Sequence, residues 1–164
     1  MGTPAIDMPA LGGEGKSKKP LRLWLRLLTC SNLIEQTVRR RLRAEFATTL
    51  PRFDMLAALE RAPEGLSMGG LSRHLMVSNG NVTGIADRLE KDGLISRLPS
   101  PTDRRTQIAR LTRRGERDFA AMAAAHESWI DDLLGGLSGT EKDRLIGLLD
   151  RARHLLQSSE DKEH

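Results

Sequence analysis

A mainly α-helical fold with one small β-hairpin is what this sequence predicts, and three observations lead there. Aromatic residues make up only 3% of the chain and tyrosine is absent. A core must therefore rest on Leu, Ile, Val, Met and Ala, a composition suited to helices packed on helices. Apolar residues recur at three- and four-residue spacing through most of the chain, the period of a helix rather than a strand. The exception is Asp87–Leu111, DRLEKDGLISRLPSPTDRRTQIARL. It reads as a helix stopped by Gly93, a short strand, a turn centred on Pro99-Ser100-Pro101, an Asp103-Arg104-Arg105 tip and a returning strand.

The elements follow in order. Residues 1–20, rich in Gly, Pro and Lys, read as a flexible basic arm. From Leu21 to about Thr49, Trp24, Leu27, Leu28, Ile34, Val38, Leu42 and Phe46 mark a long amphipathic helix. Pro51 breaks it and opens a second helix through Phe53, Met55, Leu56 and Leu59, which ends near the Pro63-Glu64-Gly65 turn. Ser67 caps a short third helix holding Leu71 and Leu75. Ser78 caps a fourth, with Val82, Ile85 and Leu89 turned inward and Gly93 as its stop. After the hairpin, Arg113–Leu134 carries Phe119, Met122, Trp129 and Leu133 on one stripe. Gly135-Gly136 interrupts, and the capping box Ser138-Gly139-Thr140-Glu141 starts a last helix with Leu145, Leu148, Leu149, Ala152 and Leu156.

A helix delivered straight into a basic-tipped hairpin is the layout of a winged helix-turn-helix, whose fourth helix would lie in the major groove of DNA while the wing reaches a minor groove or phosphate. Charge agrees. Residues 1–115 carry 20 Lys and Arg against 11 Asp and Glu, whereas residues 116–164 carry 6 against 11, within a net charge of +4. The basic front is the footprint of a polyanion partner. The compact middle, 51–112, can bury its own apolar faces as the DNA-binding lobe. The broad stripes of 21–50 and 113–157 cannot be covered by so small a lobe, so they are expected to form a dimerisation region with a second copy, leaving 158–164 as a tail. Such a homodimer sets two reading helices about 34–36 Å apart for a pseudo-palindromic operator.

From Leu66 to Thr112 the chain resembles MarR-type transcriptional regulators, in which a D-R-L-E-x-x-G-L run and an Asp-Arg-Arg wing followed by Leu-Thr recur. The order of elements past Pro20 is similar too. The resemblance implies a regulator that binds double-stranded DNA.

On the reading helix the outward positions are Asn79, Gly80, Asn81, Thr83, Gly84, Asp87 and Arg88. Asn can pair bidentately with adenine; a Thr methyl can meet a thymine methyl, or its hydroxyl a phosphate. Gly80 and Gly84 let the helix backbone approach the groove floor. Ser78 serves as the cap with or without DNA. Arg88 can reach a phosphate or pair with Asp92 at i+4. In the wing, the Asp103 carboxylate can fix an Arg guanidinium, and Arg104 and Arg105 alternate sides on an extended tip; the family pattern favours Arg105 as the DNA contact.

Chemistry is otherwise sparse. His74, His126, His154 and His164 match no metal spacing, and no phosphate loop, nucleophile elbow or paired-carboxylate motif occurs, so neither an enzyme nor a cofactor is expected. No run is long and apolar enough for a membrane span, and the N-terminus lacks the apolar core of a signal peptide, which points to the cytoplasm. The single cysteine, Cys30, excludes an intrachain disulfide and reads as a packing residue, since the tyrosines of MarR-type peroxide sensors are missing.

The phrase Val77–Ile85, VSNGNVTGI, looks particularly like regulators of aromatic-acid catabolism, a branch in which several members answer to aromatic acyl-CoA thioesters, one to p-coumaroyl-CoA. That resemblance implies an aromatic acid or its CoA thioester as effector. Arg40 and Arg43, in a run with Arg39 and Arg41, would grip its anionic end, and Trp24, Met55, His126 and Trp129 would wall its ring. The same Trp and Met residues also suit plain core or dimer packing, and the Arg run suits a solvated or DNA-facing surface. Ligand-independent architectural DNA binding, and small-molecule binding without DNA, are the competing functions.

Overall fold

Six helices and three short strands make up the computed structural model, which describes residues 18–160. The expected arm and tail fall largely outside that range, at 1–17 and 161–164. Where they overlap it, helix begins or continues: Lys18 is the N-cap of α1 (Lys19–Phe46), which includes Lys19 and Pro20, and α6 (Gly139–Glu160) runs past 158. Proline in the first turn of α1 loses no hydrogen bond, because the first helical N–H groups have no partner in any case.

The helix ends have local causes. Ala47 adopts a left-handed conformation at φ 50° and sends its N–H back to the Leu42 carbonyl, closing α1 three residues earlier than the sequence suggests. Pro51 sits in the first turn of α2 (Leu50–Glu60). Ser67 accepts from the Gly70 N–H at 3.0 Å and starts α3 (Met68–Leu75); Ser78 accepts from the Asn81 N–H at 3.4 Å and starts α4 (Asn79–Lys91). Thr112 caps α5 (Arg113–Leu134), its Oγ1 accepting from the Gly115 N–H at 3.0 Å. At α6 the Ser138/Glu141 box closes in both directions: the Ser138 N–H donates to Glu141 at 2.8 Å, and the Glu141 N–H donates to Ser138 Oγ at 3.3 Å. The Ser138 N–H foremost, and then the Ser138 hydroxyl, which donates to the same carboxylate at 2.7 Å, hold the Glu141 carboxyl below its ordinary range.

The strands form one antiparallel sheet in the order β1-β3-β2, with β1 at Leu66–Ser67, β2 at Ile95–Pro99 and β3 at Gln107–Leu111. The hairpin was expected; β1 was not. It pairs Leu66 with Ala109 and Ser67 with Ile108. Two residues are too few to show an alternating pattern, so no periodicity announces them. Pro99 continues β2 opposite Gln107, which an edge strand tolerates because its outer N–H need not be bonded.

The core is one cluster. Leu42, Met55, Leu56, Leu59, Leu71, Val82, Leu89 and Ile95 are its largest fully buried side chains, joined by Phe119, Met122 and Trp129 from α5. It lies under the helix-turn-helix and ends where α1 and α5 cross. Beyond that crossing α1 is bare: Leu21, Leu23, Trp24, Leu28 and Leu33 are exposed. Nor is any of the described residues of α6 buried, and Leu145, Ile146, Leu148, Leu149, Leu155 and Leu156 stand in solvent. Cys30 lies on the bare stretch of α1 and is exposed, not packed as expected.

Candidate nucleic-acid interface

Helices α3 and α4 meet through a short turn tied by side chain and backbone. Met76 takes the left-handed conformation at φ 53°, the Ser72 hydroxyl donates to the Val77 carbonyl at 2.6 Å, and the Val77 N–H donates to Ser72 at 3.2 Å. With Val82, Ala86 and Leu89 buried, α4 is held by one face, and its other face carries Asn79, Gly80, Asn81, Thr83, Gly84, Asp87 and Arg88 in solvent. All the outward positions expected from the sequence are therefore brought onto one surface.

Three details sharpen that surface. The Thr83 hydroxyl donates to the Asn79 carbonyl at 2.9 Å, which commits its proton to the helix and leaves the methyl as the group suited to a base. Asp92 does not pair with Arg88; its carboxylate is taken by Arg52 of α2, so Arg88 makes no ion pair among the described residues. A Cβ added at Gly80 or Gly84 would meet nothing within 4 Å. Neither glycine has a packing reason inside the chain, yet each costs a helix about 1 kcal/mol relative to alanine.

The wing is locked to α4 by Arg97, which sequence reasoning missed. Its guanidinium bonds Glu90 at 2.5 Å and Asp87 at 2.7 Å, and its backbone N–H donates to Glu90 at 3.1 Å. The side-chain bond to Arg97 is the main reason that the Glu90 carboxyl is held below its usual range. Opposite charges flanking the Gly93 stop (Asp87 and Glu90 before it, Arg97 after it) were the available signal. Asp87 thus serves the helix–wing joint as well as lying on the outer face.

At the tip the expected role of Asp103 is corrected. Its carboxylate does not hold a guanidinium; it accepts from the Arg105 N–H and the Thr106 hydroxyl, each at 3.0 Å. Arg104 and Arg105 lie in a turn and not on the extended tip expected, and in a turn a short Asp side chain readily bonds the backbone two residues on. The Ser100 N–H closes the loop on the Thr106 carbonyl at 2.7 Å. Arg104 and Arg105 are left exposed, with no ion pair among the described residues.

The residues expected to bind a ligand are not gathered. Met55 is sealed in the core cluster with 0% exposure and cannot line an open pocket. Trp24 is 57% exposed on the bare half of α1. His126 and Trp129 fill the α1–α2–α5 seam: His126 stacks 5.1 Å from Phe53, and Trp129 lies 6.2 Å from Phe46, with Arg41 over its ring at 5.8 Å. His126 and Trp129 thus share one place, their rings 6.4 Å apart, and Arg40 and Arg43 share another, beside Thr48 and Thr49 in a surface groove at the foot of α2. Among the described residues no group of His, Cys, Asp or Glu is placed to hold a metal ion, and no helix is long and apolar enough to cross a membrane.

Comparison with known proteins fits this geometry. The model of the MarR family matches residues 48–106, from the start of α2 to the wing tip. The chain is 32% identical over 149 residues to the transcriptional activatory protein BadR of Rhodopseudomonas palustris, covering 87% of this chain and 85% of that protein. It is similar to the crystal structure of a MarR family transcriptional regulator from Silicibacter pomeroyi, at 34% identity and a TM-score of 0.70, over 87% of this chain and 96% of the other. The fold is also that of a MarR variant from E. coli complexed with operator DNA, at 22% identity and a TM-score of 0.71, over 82% of this chain and 96% of that one. These proteins are regulators, not enzymes, in keeping with the lack of any catalytic motif. The chain is a winged helix-turn-helix transcriptional regulator and belongs to the MarR family.

Proposed function

We propose that this regulator binds a pseudo-palindromic operator as a homodimer, with α4 in the major groove and the Arg104-Arg105 tip on the flanking backbone, and that an aromatic acid or aromatic acyl-CoA releases it. The outer face of α4 carries the reading. Two glycines without an internal purpose sit among Asn79, Asn81 and Thr83, side chains suited to base edges. The homodimer rests on the leucines left bare along α1 and α6, too extensive an apolar surface for a lone soluble chain. The effector rests on the resemblance of Val77–Ile85 to regulators of aromatic-acid catabolism. Release by ligand implies repression; the relative BadR bears an activator's name, and a promoter fusion read with and without effector gives the sign.

The test begins with operator selection from random duplex DNA. Arg105→Ala is then expected to weaken binding to every sequence and to flatten the plot of log affinity against log salt by about 0.9 or less, one phosphate equivalent. Unchanged affinity and slope would remove the wing from the interface. Gly84→Ala separates the glycine argument from mere helix preference. It should stabilise the free protein by about 1 kcal/mol, since the new methyl meets nothing in the chain, while lowering operator affinity. Equal or better operator binding by this stabilised variant would mean that α4 does not approach the groove at Gly84.

A further inference from the structure

The helix assigned to the DNA groove carries the wrong charge for it. From Asn79 to its cap Asp92, α4 holds three carboxylates, Asp87, Glu90 and Asp92, against two cations, Arg88 and Lys91. A net negative helix is repelled by the phosphates on either side of a groove. Each carboxylate is answered from outside the helix. Arg52 of α2 takes Asp92, and Arg97 of β2 takes both Asp87 and Glu90. Asp87 matters most of the three. It stands four residues beyond Thr83 and eight beyond Asn79 on the outer stripe, and its side chain is 57% exposed.

Arg97 is itself occupied. Its Nε donates to Glu90 at 3.1 Å, and one terminal nitrogen is shared between Glu90 at 2.5 Å and Asp87 at 2.7 Å. Folding gives little reason for the bond to Asp87, since an ion pair so open to water and salt adds little stability. We propose that Arg97 is a positioning residue for operator binding: it neutralises the Asp87 and Glu90 carboxylates beside the reading face, so that α4 meets the phosphates with the charge of Arg88 and Lys91. This goes beyond the tie between helix and wing, and it rests on the placement of α4 in the groove proposed above. Tie and charge are separable. Without the guanidinium, β2 still pairs with β3 opposite Ala109, and the residue 97 N–H still donates to Glu90 at 3.1 Å.

Fluorescence anisotropy on the full-length protein tests this, with the selected operator and a random duplex titrated over a salt series. Arg97→Gln is expected to weaken both duplexes by about tenfold or more at low salt, and to flatten the plot of log affinity against log salt by about 0.9 or less. Arg97→Lys keeps the charge without the planar fork and should recover most of that loss. Adding Asp87→Asn to Arg97→Gln removes the uncovered charge without restoring the ion pair. Affinity should then return to within about threefold of the unaltered protein, and the salt slope with it. Asp87→Asn alone should bind both duplexes about twofold or more tighter, because it leaves a cation in excess. A double variant as weak as Arg97→Gln would reduce Arg97 to a structural tie and overturn the proposal. So would an Asp87→Asn protein that loses its preference for operator over random DNA, since Asp87 would then read a base. If Arg97→Gln melts early, the Asp87→Asn protein decides by itself. Gly84→Ala keeps the two readings apart. Weakened operator binding by Gly84→Ala beside an unrescued double variant would leave α4 in the groove and refute only the role of Arg97. No change in affinity for any of these variants would remove α4 from the groove, and the proposal with it.

Discussion

Replacing Gly115 with alanine is expected to cost at least about 3 kcal/mol of folding stability, the upper end of the usual penalty for overfilling a packed interior. A Cβ at this position would lie 1.9 Å from the Leu94 carbonyl oxygen and 2.9 Å from its carbon. The obstacle is backbone and cannot step aside. Leu94 O accepts the Thr112 N–H at 3.0 Å, the Thr112 hydroxyl donates to Gly93 at 2.7 Å, and the Gly115 N–H returns to Thr112 Oγ1. The start of α5 is thereby pinned to the joint between α4 and β2, and the joint between reading helix and wing must spread to admit a methyl group. At about 2–4 °C per kcal/mol for a chain of this size, the melting temperature should fall by about 6–12 °C. Gly69→Ala is the control, since its Cβ would meet only the end of Arg73 at 3.9 Å and it should not destabilise. A Gly115→Ala protein that melts with the unaltered one would mean that α5 does not sit on Leu94 as described. Because the pinned joint also carries Arg97, residual folded protein should bind DNA less well, with a wing no longer held at its angle to α4.

How much of this was legible in advance depends on where the determining contacts lie in sequence. Helix starts were readable because Ser67, Ser78, Thr112 and Ser138 each cap within their own next three residues. The outer face of α4 was readable for the same reason, since Val82, Ala86 and Leu89 assign the buried side within one helix. What failed involves distant partners or single residues. The early end of α1 depends on Ala47 in a left-handed conformation that alanine does not advertise. Arg97 acts across the Gly93 turn, Asp92 is claimed by Arg52 forty residues before it, and Met55 disappears into a core that only the packed helices define. The ligand set is dispersed for that cause: Trp24, Met55, His126 and Trp129 are side chains suited to a pocket, but nothing local says which of them share a place.

The largest effect on DNA binding should come from residues that touch no DNA. Leu145 and Leu149 stand four apart on α6, on one face, and are exposed beside Ile146 and Leu148. In the chain alone that face has nothing to cover it. In the proposed homodimer it joins the bare half of α1 in a seam between copies, where a carboxylate pair would have to be desolvated without partners. Leu145→Glu combined with Leu149→Glu is therefore expected to convert the protein to monomers by light scattering while the circular dichroism of the helical lobe persists. Its affinity for the selected operator should fall by about 100-fold or more, because two half-sites held by one dimer gain roughly that from effective concentration alone. Affinity for a single half-site should barely change, since α4, the wing and the Arg97 joint lie in the other lobe. A double variant that stays dimeric would place the seam away from α6. One that becomes monomeric yet keeps full operator affinity would instead show that a single reading helix suffices, and the pseudo-palindrome would lose its physical reason.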